Sequence, residues 1–234
     1  MGTFKITYLH HSGFICELED CILVFDYYID PEGKLDDLCE VSSKPLYFFV
    51  SHFHADHFNP EINRFESRAE GYFIHRDCTL TLRNHEMLHC MEVGDFMVTK
   101  YFRIKMFGST DAGGSFLINH PKASVFHAGD LNWWHWEEED DAYNRMMRGD
   151  YQKEIETLTG EKIDLAFVVL DPRQEEQFYW GFDWYMRHTD TKIVFPMHMW
   201  KQYEVQDRLI GMEVSEPYRE KIMRIREMGQ VFEL

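Results

Sequence analysis

The sequence predicts an α/β fold built in layers, with sheets packed on each other and helices covering them. Two observations carry this expectation. The first half of the chain is dominated by short segments rich in β-branched and aromatic residues, and the second half alternates helical with strand-like stretches. A third bounds it: 234 residues with 44% hydrophobic content suffice for a sizeable core in one domain, taken as residues 1–234.

In chain order, "FKITYLH", "FICELE" and "CILVFDYY" read as strands separated by the turn signals "HSG" and "ED". "PLYFFVS" is a near-continuous apolar run of strand length, which favours a strand covered on both faces. After it, "NPEINRF" offers Asn59 as a helix N-cap with Pro60 at the first helical position. "GYFIH", "DFMVTKYFRIKMFG", "SFLINH" and "SVFHAG" read as further strands. The acidic run "WEEEDDAYNRMMRGDYQKEIETLTG" reads as a solvated helix rather than a binding tail. "IDLAFVVLD" and "KIVFPMH" are strands, each preceded by a plausible helix. "SEPYREKIMRIREM" is expected as a last helix, with Tyr218, Ile222 and Ile225 on one face and Gly229 as its stop.

The net charge is −17, from 24 basic and 41 acidic side chains, and such a field repels phosphate backbones. A nucleic-acid partner is therefore not expected, whereas a small anionic substrate remains open if cations sit locally in a pocket. "MGTFKITYLHH" lacks a secretory pattern, and Ile6 stands where an N-acylation motif needs Ser or Thr. No apolar run approaches membrane-spanning length. Cys16, Cys21, Cys39, Cys78 and Cys90 are odd in number and lack metal-type pairing, so they read as reduced thiols of a cytoplasmic protein. Cys16 and Cys21 flank a turn, and two buried thiols are expected there.

Chemistry concentrates in "SHFHADHF". His52 and His54 follow directly on a strand and project to one side if the extended geometry persists. The chain then turns, and Asp56 and His57 come back toward the same point. "VFHAGDLNWW" ends another strand with Asp130, and "KIVFPMHMW" ends one with His198. Imidazole and carboxylate together suit Zn²⁺, Fe or Mn²⁺, and the carboxyl ends of buried strands are where α/β folds place their sites. No Ser-His-Asp or Cys-His arrangement competes, and "GSTDAGGS" lacks the Lys-Ser/Thr of a phosphate-binding loop.

"SHFHADHF", followed by "GSTDAGG", "HAGD" and "PMH", resembles the metallo-β-lactamase-fold superfamily over nearly the whole chain. The early "YLHHSGF" is loosely similar to its L-ascorbate-6-phosphate-lactonase-like branch. The resemblance implies a four-layer αβ/βα sandwich with metals at one sheet edge. It implies His52 and His54 at a first metal site, Asp56, His57 and His198 at a second, and Asp130 bridging both across ~3.5–4 Å. One or two divalent ions are expected, zinc foremost, with manganese or iron as alternatives.

The chain departs from the family at Gly108-Ser109-Thr110-Asp111, where Ser109 stands in place of the histidine that would complete the first site. Three readings stay open. Asp111 is a candidate replacement ligand; the first site takes a harder metal such as Mn²⁺; or only the second site fills. An occupied second site beside a weaker first one is expected.

Other residues are weighed against packing roles. His127, three residues before Asp130, reads as packed or as a support behind the ligands. His11 is a candidate pocket-lining residue, His10 less so. Of Trp133 and Trp134, just after Asp130, one is expected near the metals, and Trp133 is taken as a substrate-contact candidate. Arg173 follows Asp171 and Pro172 and is a candidate clamp for a carboxylate or phosphate, against a surface salt bridge. His75, His85, His89, His120, His135 and His188 read as surface or structural.

These expectations add up to a metal-dependent hydrolase acting through a metal-bound hydroxide on a small ester, lactone, amide or phosphoester. Asp130 and Asp56 are its catalytic carboxylates, the latter orienting the nucleophile. The alternative is a non-catalytic metal-binding or regulatory protein with a degenerate fold, motivated by Ser109. Iron redox chemistry is a third reading, although a di-iron reductase needs a flavin domain for which the chain leaves no room. The partner is expected to be a small molecule, not a membrane, and homo-oligomers are compatible with the sequence.

Overall fold

The computed structural model describes residues 4–234. The N-terminal reading above falls partly on residues 1–3, outside the described residues. Two sheets carry the architecture. The first contains β1 (Lys5–His10), β2 (Gly13–Glu17), β3 (Ile22–Phe25), β4 (Leu46–Val50), β5 (Ala69–His75) and β6 (Leu88–Met91). The second contains β7 (Phe96–Val98), β8 (Arg103–Phe107), β9 (Ser115–His120), β10 (Ala123–His127), β11 (Lys162–Val169) and β12 (Asp190–Met197). A final strand, β13 (Val231–Glu233), returns to the first sheet beside β1. The sheet orders are β13-β1-β2-β3-β4-β5-β6 and β12-β11-β10-β9-β8-β7.

Alternation along the strands explains the layers. In β4, Tyr47 and Phe49 join the core between the sheets, while Leu46, Phe48 and Val50 join a second core on the outer face. β3 does the same, with Leu23 and Phe25 inward and Ile22 and Val24 outward. A strand buried on both faces must be apolar at every position, which is why "LYFFV" and "ILVF" carry no polar residue. Each such side chain contributes about 1.5–3 kcal/mol on burial.

The outer core is covered by α1 (Lys34–Val41), through Leu35 and Leu38, and by the 3₁₀ segment Pro60–Phe65, through Ile62 and Phe65. Asn59 caps that segment by accepting the Glu61 amide, as its sequence predicts. The other side is covered by α2 (Asp141–Glu156), α3 (Trp180–His188) and α4 (Glu204–Gly211). The acidic run is thus a helix, yet not wholly solvated: Met147, Tyr151 and Ile155 form its buried stripe. Helix, sheet, sheet, helix is the αβ/βα sandwich.

Two expectations fail. Residues 95–108 are not one strand but the antiparallel pair β7 and β8, joined by a turn in which the Thr99 amide donates to the Phe102 carbonyl. Residues 215–228 do not form an α-helix; beyond Ser215, which ends the 3₁₀ turn Glu213–Ser215, only a 3₁₀ turn at Arg219–Lys221 is helical. The segment instead lies along the edge strand β12, where Ile222 pairs in parallel with Val194 and the Met223 amide donates to the Val194 carbonyl. Tyr218, Ile222 and Ile225 are buried as expected, but in an irregular strap that covers a sheet edge otherwise left unpaired.

Candidate metal centre

Five strand ends meet at one edge of the sandwich. β3 delivers Asp26, β4 the loop from Ser51 to His57, β10 Asp130, β11 Asp171 and β12 His198. The β1–β2 turn adds His11. After β4 the chain folds back tightly, because the His54 carbonyl accepts the amides of both His57 and Phe58. This return places His57 beside His52, with ring centroids 4.2 Å apart.

Two groups of ligand-type atoms result, each within 4.8 Å of one another: His52, His54 and Asp130; and His11, Asp56, His57 and His198. Asp130 lies between them. Its Oδ2 is 3.3 Å from His52 Nε2, and its Oδ1 is 3.0 Å from His57 Nε2 and 3.3 Å from His198 Nε2.

The rear nitrogens are fixed by the chain. His57 Nδ1 donates to Asp26 Oδ2 at 2.7 Å, and His198 Nδ1 to Asp171 Oδ2 at 2.8 Å. Ser51 Oγ donates to Asp26 Oδ2, so it accepts from His52 Nδ1 at 2.9 Å. The network therefore fixes a proton on each Nδ1 and turns each Nε2 toward the centre. Sequence reasoning missed Asp26 and Asp171. Each is a carboxylate one or two residues beyond a buried strand, a weak signal that gains meaning only once those strands are known to neighbour β4 and β12.

Electrostatics follow from this packing. Burial by itself would lower the His57 imidazole, but Asp130 and Asp26 outweigh it and raise it to about 10. Burial would raise the Asp130 carboxyl, yet His57, His198 and His52 hold it well below the usual range. Burial, with His198 and His57 next in order, pushes His11 far down, so it is neutral. A divalent cation held there would compete with protons for these imidazoles.

The donor set fits a cation. Nε2 of His52, His57 and His198, Oδ1 of Asp130 and both nitrogens of His11 are buried and make no hydrogen bond. A buried polar atom left unpaired costs about 1–3 kcal/mol, and several facing one point are satisfied together by a metal ion.

Beside the centre lies a cavity of about 310 Å³, onto which His54, Asp56, Asp130 and His198 open. Trp134, Trp136, Trp200, Tyr143 and Arg173 also line it. Arg173 grips Asp171 through Nε and Nη2 and lies over the Trp136 and Trp200 rings, 5.8 and 5.0 Å from their centroids. Trp133 does not line this cavity. It packs against Trp180 with centroids 5.3 Å apart, while the next residue, Trp134, faces the centre and donates Nε1–H to the Asp130 carbonyl. Of the two neighbours, only Trp134 reaches the cavity, because the chain turns between Asp130 and Trp134, where the Trp134 amide donates to the Asn132 carbonyl.

Ser109 Oγ accepts the Asp111 amide, stabilising the turn rather than facing an ion. Asp111 lines the cavity, but its carboxylate stands outside both groups of converging atoms. The same loop is pinned beneath the histidines: Gly114 N donates to the Ser51 carbonyl, and Gly113, at φ 68°, passes so close that a Cβ would land on that oxygen. His127 is a support: it stacks on Phe25, donates from Nε2 to the Ser12 carbonyl, and so tethers the turn bearing His11. His10 is held apart by Tyr28, whose hydroxyl lies 2.9 Å from its Nδ1.

No protein-family model matches the sequence, and no curated protein matches it either. Solved structures do. Igni18, a metallo hydrolase of the archaeon Ignicoccus hospitalis, is 16% identical, with TM-score 0.67 over 99% of this chain and 98% of that one. YhfI of Bacillus subtilis, a metallo-β-lactamase fold protein, is 12% identical, with TM-score 0.63 over 100% of both chains. CmlA of Streptomyces venezuelae, a diiron β-hydroxylase, is 10% identical, with TM-score 0.67 over 100% of this chain and 54% of that one. Likeness at such low identity speaks to architecture, and with the two helix-covered sheets and the site at their shared edge it is decisive: this chain has the metallo-β-lactamase fold.

Proposed function

We propose that the chain is a single-domain, metal-dependent hydrolase of a small-molecule ester, lactone, amide or phosphoester. The observation that carries the reading is the convergence of buried, partnerless imidazole and carboxylate atoms at the floor of an open cavity. His52 and His54 would hold a first cation, Asp56, His57 and His198 a second, with Asp130 shared. A divalent cation held there supplies a nucleophile at neutral pH and stabilises the negative charge that develops on the substrate oxygen.

The chain's own groups do the rest. Asp26, Ser51 and Asp171 keep the rings oriented. Asp56, whose side chain is 31% exposed beside the buried donors, accepts a hydrogen bond from the attacking water and orients it. Arg173 keeps Nη1 free of Asp171 and presents it to a carboxylate or phosphate on the substrate. Trp134, Trp136 and Trp200 form an apolar wall, and the cavity volume suits a metabolite rather than a polymer. The ion is zinc in this reading, with manganese the better match for a first site lacking its third imidazole.

Five free cysteines support a reducing compartment such as the cytoplasm. Among the described residues, no helix is long and apolar enough to cross a membrane.

The test is elemental analysis of the purified protein, then turnover of p-nitrophenyl esters, lactones and bis-p-nitrophenyl phosphate after reloading with Zn²⁺ or Mn²⁺. Bound metal with metal-dependent hydrolysis is expected. A chain that holds no cation sinks the reading; one that holds a cation yet hydrolyses nothing supports a non-catalytic metal-binding protein. A second reading rests on the likeness to a diiron β-hydroxylase. Copurifying iron with dioxygen consumption and no hydrolysis would favour it.

A further inference from the structure

We infer that His11 is a further ligand of the second cation, making the centre asymmetric. This rests on the reading of the cluster as a metal site and goes beyond it. His11 is fully buried in the β1–β2 turn, and neither of its ring nitrogens has a hydrogen-bond partner. A buried imidazole that merely packed would place at least one nitrogen against a polar group, as His127 does with both of its own.

The turn aims the ring at the centre. His11 Nε2 is 3.4 Å from Asp56 Oδ2, and its ring centroid is 3.9 Å from that of His198. His11 also holds a left-handed backbone, at φ 55°, a conformation uncommon outside glycine. Three bonds keep it there: its amide donates to the Tyr8 hydroxyl, its carbonyl accepts from the His198 amide, and Ser12 accepts from His127. Backbone strain held by neighbours is a mark of a functional position.

The consequence is a redistribution of donors. The second site has His11, His57, His198 and Asp56, plus a share of Asp130. The first has His52, His54 and the other Asp130 oxygen, with Ser109 turned to its own loop. A site rich in protein donors is closed and tight, whereas one with few keeps open positions. The second ion would therefore be the retained one and the first the exchangeable one.

The experiment compares wild type, His11→Gly and His11→Gln by competitive chelator titration with Zn²⁺ and by the visible spectrum of the Co²⁺-loaded protein. Glycine relieves the positive φ, so this variant keeps the fold, which circular dichroism checks. Wild type is expected to bind one ion tightly and another weakly. Both variants should weaken the tight ion by at least ~10–100-fold, the loss typical of removing even an outer partner, with the weak one little changed. Free imidazole should restore affinity to His11→Gly alone. Unchanged tight affinity and Co²⁺ spectrum overturn the inference while leaving the metal site standing; a wild type that binds no ion removes the site itself. An equal loss in His10→Ala would show that packing of the turn, not ligation, is responsible, and would also overturn it.

Discussion

The two ends of β3 bring similar residues together with opposite results. Before the strand, Asp20 and Cys21 meet His120 from the end of β9, with ligand-type atoms within 4.8 Å of one another. Beyond the strand lie Asp26 and the histidine centre. In the first cluster every nitrogen is satisfied: His120 Nε2 donates to Asp20 at 2.9 Å, and its Nδ1 accepts the Lys122 amide. Burial pushes the Cys21 thiol up to about 12, so it stays protonated and ligates poorly. At the other end, the rear nitrogens are occupied and the front ones are empty. Proximity of His, Cys and Asp alone does not mark a candidate metal site; donors fixed in place and left without partners do.

Four substitutions sharpen or break this contrast. The largest effect is expected from His57→Ala, which should abolish cation retention at the second site in elemental analysis. It also leaves Asp26 and Asp130 buried without their counter-charge, so denaturant unfolding should show a loss of about 3–5 kcal/mol. Full retention of metal and activity would show the assignment to be wrong. Asp26→Asn, which keeps the shape but not the charge behind His57, should weaken metal affinity by ~10–100-fold in chelator competition. Ser109→His should raise zinc content toward a second ion per chain, and no change would mean that the loop cannot turn the new ring inward. His120→Ala should be the smallest, leaving metal content untouched while costing about 1 kcal/mol for the lost Asp20 bond. Loss of metal in that variant would erase the distinction between the two ends.

Much of this was legible in the sequence because it depends on local pattern. Strands buried on both faces show as unbroken apolar runs, and "SHFHADHF" declares its chemistry by residue type after such a run. What escaped depends on which strands become neighbours. Asp26 and Asp171 acquire their roles only when β3 lies beside β4 and β11 beside β12. Trp133 and Trp134 were indistinguishable by composition, and the direction of one turn separates them. Residues 215–228 show the converse error: their apolar spacing has a helical period, yet Tyr218 meets Asp183 and Phe182 of α3, Ile222 pairs with β12 and Ile225 bonds Gln206 of α4, and pairing with a sheet edge outweighed helix propensity.

The most direct measurement is an anomalous-scattering map from crystals grown with excess Zn²⁺ or Mn²⁺. The account predicts density within bonding distance of His57 Nε2, His198 Nε2 and an Asp130 oxygen, and none among Asp20, Cys21 and His120. Imidazoles splayed around plain solvent, or an ion held only by the Asp20–Cys21–His120 group, would contradict it.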